Sequence, residues 1–296
     1  MEQIRIGTCV PGQLAEQWLP AMKDKGYECF AINFHMGYYG VDIKRLAPKV
    51  KDILAGTGTY VSTLGYYCNA LENEEQRHDL EYAIDNAHLL GATTVATFAG
   101  ALEGKDVPAA MPRFKEVFSE LARRAEDRGV KLAIENCPMG GDWRRATCNI
   151  GFNPDAWEMM FDAVPSDALG LEWEPAHQLI QLIDPIAQLR VWAGKVVHMH
   201  GKDTSVDWDA VRRRGIYAMK DFAPERTPGF GDTNWRDVFS ILHENGYAGD
   251  VCIEGYHDPI YSREWEMTGQ RHALRYLKLC RGGDFVPNPW DEKANL

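Results

Sequence analysis

The sequence lacks several features that would define a protein class at once. None of its apolar runs approaches the roughly 20 residues needed to cross a bilayer, so no membrane-spanning helix is expected. The opening Met1-Glu2-Gln3-Ile4-Arg5 lacks the basic-then-apolar layout of a signal peptide and leads straight into a strand-like run. No two of the seven cysteines (Cys9, Cys29, Cys68, Cys137, Cys148, Cys252, Cys280) form a C-x-x-C pair. Their odd number argues against a closed disulfide set and points to free thiols in a cytoplasmic protein. The first strand-like run is followed by Thr8-Cys9-Val10-Pro11-Gly12, which is not the G-x-G-x-x-G turn of a dinucleotide fold. Positive charge is in deficit: 32 Lys and Arg face 43 Asp and Glu, a net charge of −11 that disfavours nucleic acid as a partner. There is no low-complexity segment and no linker.

What is present is a strict alternation. Strand-like runs fall at 5–9, 29–33, 59–64, 94–98, 131–135, 169–173, 196–200 and 250–254, each short, rich in aliphatic residues and bounded by Gly, Pro or Asn. Helical patterns fill most gaps, at 13–25, 43–55, 74–90, 109–128, 154–163, 186–192, 234–245 and 265–279. Asn153-Pro154 and Asp184-Pro185 read as capped helix starts, and Gly246 as a helix stop. Eight such units predict an α/β fold, a single (β/α)8 TIM barrel over 1–296 with its helices outside a parallel sheet. The 201–233 stretch after the seventh strand is too long for an ordinary loop and is expected to be a lid or a pocket wall, with 281–296 a C-terminal tail.

Four of the later runs end in metal-ligand side chains: Glu135, Glu174, His200 and Glu254. In a barrel of this kind the C-terminal strand ends converge on the active site. Three carboxylates and an imidazole around one point repel unless a cation stands among them. Oxygen-rich ligation favours Mn2+, with Mg2+ or Co2+ as alternatives, over a structural zinc. Glu172 and His198 lie two residues before Glu174 and His200, on the same strand faces, and compete for the same roles. His177 is a candidate substrate contact, and Lys202 either binds substrate or pairs with Asp203. Trp143 and Trp208, with Phe98, Trp173 and Trp235, are candidate aromatic walls for a sugar face.

Taken together, Ile134-Glu135-Asn136, Gly170-x-x-x-Glu174-Pro175-x-His177, His198-x-His200-x-Lys202-Asp203, Pro228-Gly229-Phe230-Gly231-Asp232-x-x-Trp235 and Gly246-Tyr247-x-Gly249-Asp250-x-x-Ile253-Glu254 resemble the xylose-isomerase-like sugar isomerase/epimerase superfamily. The resemblance implies a TIM barrel binding one divalent cation through Glu135, Glu174, His200 and Glu254. It makes Glu135 and Glu254 the proton-moving residues and His177 a substrate contact. Two departures stand out. The second ligand is usually Asp and here is Glu174, and the epimerases' arginine is replaced by Val206, with Arg212, Arg213 and Arg214 as the nearest candidates to substitute. The implied activity is isomerisation or epimerisation of a keto-sugar or polyol through an enediolate. Elimination by a dehydratase or lyase runs through the same intermediate. No phosphate cradle is visible, so a neutral small carbohydrate is the expected partner, and assembly into a homo-oligomer is left open.

Overall fold

The structure is a computed structural model that describes residues 3–217, 219 and 221–290. The apolar runs become eight parallel strands: β1 (Ile6–Pro11), β2 (Cys29–His35), β3 (Tyr60–Tyr67), β4 (Thr94–Thr97), β5 (Lys131–Glu135), β6 (Leu169–Trp173), β7 (Val196–Gly201) and, after two short strands described below, β10 (Val251–Ile253). They close in the order β1-β10-β7-β6-β5-β4-β3-β2. The (β/α)8 expectation therefore holds. Strands buried on both faces read as near-continuous apolar runs, and every residue of β6 is buried, including Glu172.

Helices pack outside: α1 (Ala15–Met22), α2 (Ile43–Leu54), α3 (Glu74–Leu90), α4 (Val107–Arg128), α5 (Pro154–Ala163), α6 (Ala176–Leu179), α7 (Pro185–Trp192), α8 (Trp208–Arg214), α9 (Trp235–Glu244) and α10 (Glu266–Cys280). Short polar side chains cap them as the sequence suggests. Asn153 accepts from the Ala156 N–H, and Asp184 from those of Ile186 and Ala187. Glu28 ties the chain's two ends together by accepting from the Ile6 N–H at 2.7 Å and from Arg281 Nη1 at 2.6 Å.

The 201–233 stretch is more ordered than a loop. Gly201 completes β7; β8 (Asp203–Thr204) and β9 (Glu225–Arg226) then pair antiparallel, with α8 between them. Asp203 locks this excursion in place. Its carboxylate accepts from the Thr204 and Thr233 N–H groups and from Trp235 Nε1. Gly231 has to be Gly, because a Cβ there would fall 2.3 Å from that carboxylate. Phe230 stacks on Tyr261 at 4.5 Å and on His272 of α10 at 4.1 Å.

Candidate active site

Each predicted ligand is delivered by a strand end. Glu135 closes β5, His200 lies within β7, and Glu174 and Glu254 are the first residues past β6 and β10. Asn136 fixes the relative height of two of these ends, since its side chain donates to the Glu174 carbonyl at 2.9 Å and accepts from the Glu174 N–H at 2.8 Å. One ligand atom from each of the four residues falls within 4.8 Å of the others. The hub is His200 Nδ1, which lies 2.9 Å from Glu135, 3.4 Å from Glu174 and 3.5 Å from Glu254. Both carboxylate oxygens of Glu174 are buried without a hydrogen bond among the described residues. His177 Nε2 and Lys202 Nζ stand 3.1 Å from one of them, outside hydrogen-bonding geometry. A buried carboxylate with open lone pairs, beside two more and an imidazole, has the donor set to hold a divalent cation.

Lys202 reaches inward, 2.8 Å from Glu254 and 3.5 Å from Glu225, while its neighbour Asp203 turns outward into the excursion. The anticipated Lys202–Asp203 pairing is thus replaced by a lysine within the carboxylate array. Burial disfavours the charged lysine, but Glu174 and Glu254 outweigh this and raise its pKa well above the ordinary value. Burial drives the Glu174 carboxyl up to about 8 against the pull of Lys202. Burial raises Glu135 too, partly opposed by His200. Burial also acts on Glu254, but Lys202 and His257 prevail and hold it well below the carboxylate range. His177 is driven far down by burial and by Lys202, and stays neutral. Its Nδ1 is buried with no hydrogen-bond partner among the described residues.

Glu135, His177, His200, Lys202 and Glu254 line a cavity of about 300 Å3 whose wall also includes His35, Tyr67, Phe98, Glu225 and His257. His257 reaches Glu254 and Glu225, each at 3.4 Å. Glu225 carried no sequence signal, because only the folding back of β9 brings it here. Trp143 and Trp208 do not line this cavity. Trp143 packs on the main core, with its carbonyl accepting from the Val107 N–H, and Trp208 opens α8 half-exposed. Trp173 and Trp235 are buried structural residues bonded to Gln188 and Asp203. The run Arg212–Arg214 lies on exposed turns of α8, away from the cavity wall.

Glu172 and His198 stand apart from the four-residue cluster. They form a second grouping with His200 on its other ring nitrogen, away from Glu135, Glu174 and Glu254.

The sequence model of the family described as xylose isomerase-like TIM barrel matches residues 19–280, and the chain belongs to that family. It is 21% identical over 311 residues to an inosose dehydratase of Clostridium beijerinckii, covering 95% of this chain and 98% of that one. An inosose dehydratase of Clostridium tetani is 29% identical over 111 residues, or 36% and 37% of the two chains. Among solved structures, the apo form of the Escherichia coli 3-keto-D-glucoside 4-epimerase YcjR superposes with a TM-score of 0.69 at 15% identity, covering 94% of this chain and 100% of that one. A xylose isomerase-like TIM barrel protein of Mycobacterium smegmatis in complex with magnesium gives 0.70 at 18%, with 95% and 100% covered. At these identities the superpositions speak for the fold.

Proposed function

We propose that this chain is a divalent-metal-dependent isomerase or epimerase of a neutral keto-sugar or related polyol. Glu135, Glu174, His200 and Glu254 hold the cation, Mn2+ by preference and Mg2+ or Co2+ in its place. When bound, the cation polarises the substrate carbonyl and stabilises the negative charge of the enediolate. The observation that carries this reading is the convergence of four strand-end ligands on one hub. Two of them, the carboxyls of Glu135 and Glu254, stand 2.9 and 3.5 Å from His200 Nδ1 beside the cavity. Such a pair divides proton removal and proton return between Glu254 and Glu135. His177 Nδ1 and Lys202 orient substrate hydroxyls. Five carboxylates (Glu135, Glu172, Glu174, Glu225 and Glu254) against one lysine support a neutral substrate over a phosphorylated one. The seven free thiols agree with a reducing, cytoplasmic setting.

Elimination by the same residues is the second reading. It is favoured by the inosose dehydratase relative, which spans nearly the whole chain. Here Lys202 or His257, both beside Glu254, protonates the leaving hydroxyl. Incubating keto-sugars and inososes with the Mn2+-loaded protein in D2O distinguishes the two. Epimerisation puts solvent deuterium on carbon without loss of water, and elimination loses the mass of water. No exchange and no mass change with any of them would end both readings.

A further inference from the structure

Beneath the cavity, β6 carries an inward carboxylate that the proposed proton transfers leave unused. Glu172 is fully buried. Its Oε1 is hydrogen-bonded to His198 Nδ1 at 2.7 Å and its Oε2 accepts from the Tyr67 hydroxyl at 2.8 Å, while Oε1 also stands 3.3 Å from His200 Nε2, outside hydrogen-bonding geometry. The strand register explains the placement. Glu172 pairs with Glu135 across β5–β6, and an irregularity between Leu171 and Glu172 shifts β6 against β7 so that Glu172 meets His198.

The two faces of the His200 ring are therefore unlike. Nδ1 faces Glu135, Glu174 and Glu254. Nε2 faces Glu172 and the Tyr67 oxygen, the latter at 3.3 Å. Tyr67 has one hydroxyl hydrogen and gives it to Glu172, so towards Nε2 it offers only a lone pair. Acceptors therefore stand at both ring nitrogens, so once Nδ1 gives its lone pair to a cation the remaining ring hydrogen is on Nε2, where Tyr67 accepts it and the Glu172 charge stands 3.3 Å away.

We propose that Glu172 is a positioning residue: with Tyr67 it traps the hydrogen of His200 on Nε2 and so dedicates Nδ1 to the cation. A carboxylate behind a metal-binding imidazole fixes its tautomer and raises its basicity, and losing such a partner typically weakens metal binding about 10- to 100-fold. Glu172 is itself held by two donors, His198 and Tyr67, and this makes it a rigid stop. The inference rests on the metal reading above, but its test separates the two.

The tautomer is read first, in the wild-type protein. With 15N-labelled histidine and saturating Mg2+, long-range proton–nitrogen correlation is expected to show His200 protonated at Nε2 alone. Protonation at Nδ1 overturns the proposal. The second test measures Mn2+ binding to metal-free Glu172→Gln and Glu172→Leu by calorimetry, alongside the melting temperature of each metal-free variant. The Leu variant is expected to bind about 10- to 100-fold more weakly. The Gln variant should fall in between, because its amide oxygen can still accept from the Tyr67 hydroxyl while the charge is lost. A packing role alone would lower the metal-free melting temperature and leave Mn2+ affinity at the wild-type value. That result overturns the proposal while sparing the metal site, whereas a wild-type chain that binds no Mn2+ overturns both.

Discussion

Lys202 holds its ammonium 2.8 Å from a carboxylate oxygen of Glu254, and the same nitrogen stands 3.1 Å from Glu174. A buried lysine is thus part of the carboxylate array in which a dication is proposed to bind. The lysine balances charge without a metal and repels one when it arrives.

Replacing Lys202 with Met tests this directly. Removing one partner of a buried ion pair costs about 3–5 kcal/mol. The metal-free variant should lose stability on that scale, while its Mn2+ affinity stays level or rises. Differential scanning fluorimetry with and without EDTA reads both. Equal losses in the two conditions would show that the lysine and the metal do not share the same carboxylates.

Chelation of the wild-type protein should lower its melting temperature, and Mn2+ at a hundredfold its dissociation constant should restore about 2.7 kcal/mol, a shift on the order of 5 °C. Turnover should disappear and return in parallel. A melting curve indifferent to EDTA in a chain purified with metal would remove the cation from the account.

Glu254→Gln and Glu135→Gln should each reduce turnover by about 10²- to 10⁴-fold, the usual contribution of a positioned acid or base, and both should weaken Mn2+ binding. His177 is proposed to contact substrate and lies 3.1 Å from Glu174 rather than at His200 Nδ1, so the loss in His177→Ala is expected mainly in KM. If His177→Ala lowers kcat and kcat/KM equally, that histidine acts on the transition state.

The pair at the chain ends gives a pH prediction. Burial alone would raise the Glu28 carboxyl, but Arg281, the Ile6 N–H and Lys278 reverse this and lower it below its ordinary value. A carboxyl depressed in the folded state contributes stability above its unfolded pKa of about 4.3, and that contribution disappears as pH falls through the folded value. The melting temperature of Glu28→Gln should therefore lie below wild type at pH 7, and the gap should close on acidification. A gap of constant size down to pH 3 would mean that Glu28 contributes by packing alone.

The barrel was legible in the sequence because each strand is short, apolar and punctuated, and the period-two alternation put Glu135, Glu172, Glu174, His198 and His200 on inward faces. Choosing between Glu172 and Glu174 was beyond it. That choice depends on the irregularity after Leu171 and on Glu174 lying just past the strand, which one sequence does not encode visibly. Glu225 was missed because β9 is two residues long and enters the site only by pairing with β8. Trp143 and Trp208 show the reverse error. Aromatic residues near strand ends serve core and surface as readily as a sugar wall, and composition does not separate those uses.

Phe230 lies flat between Tyr261 and His272, and a side chain on Gly229 would fall 2.7 Å from the imidazole of His272. This stack bolts the return arm of the excursion to the last helix, which is itself anchored to the first strands. The rim that presents Glu225 is therefore tied to the barrel through α10, which favours a cup whose shape is in place before its guest arrives and lowers the ordering entropy of capture.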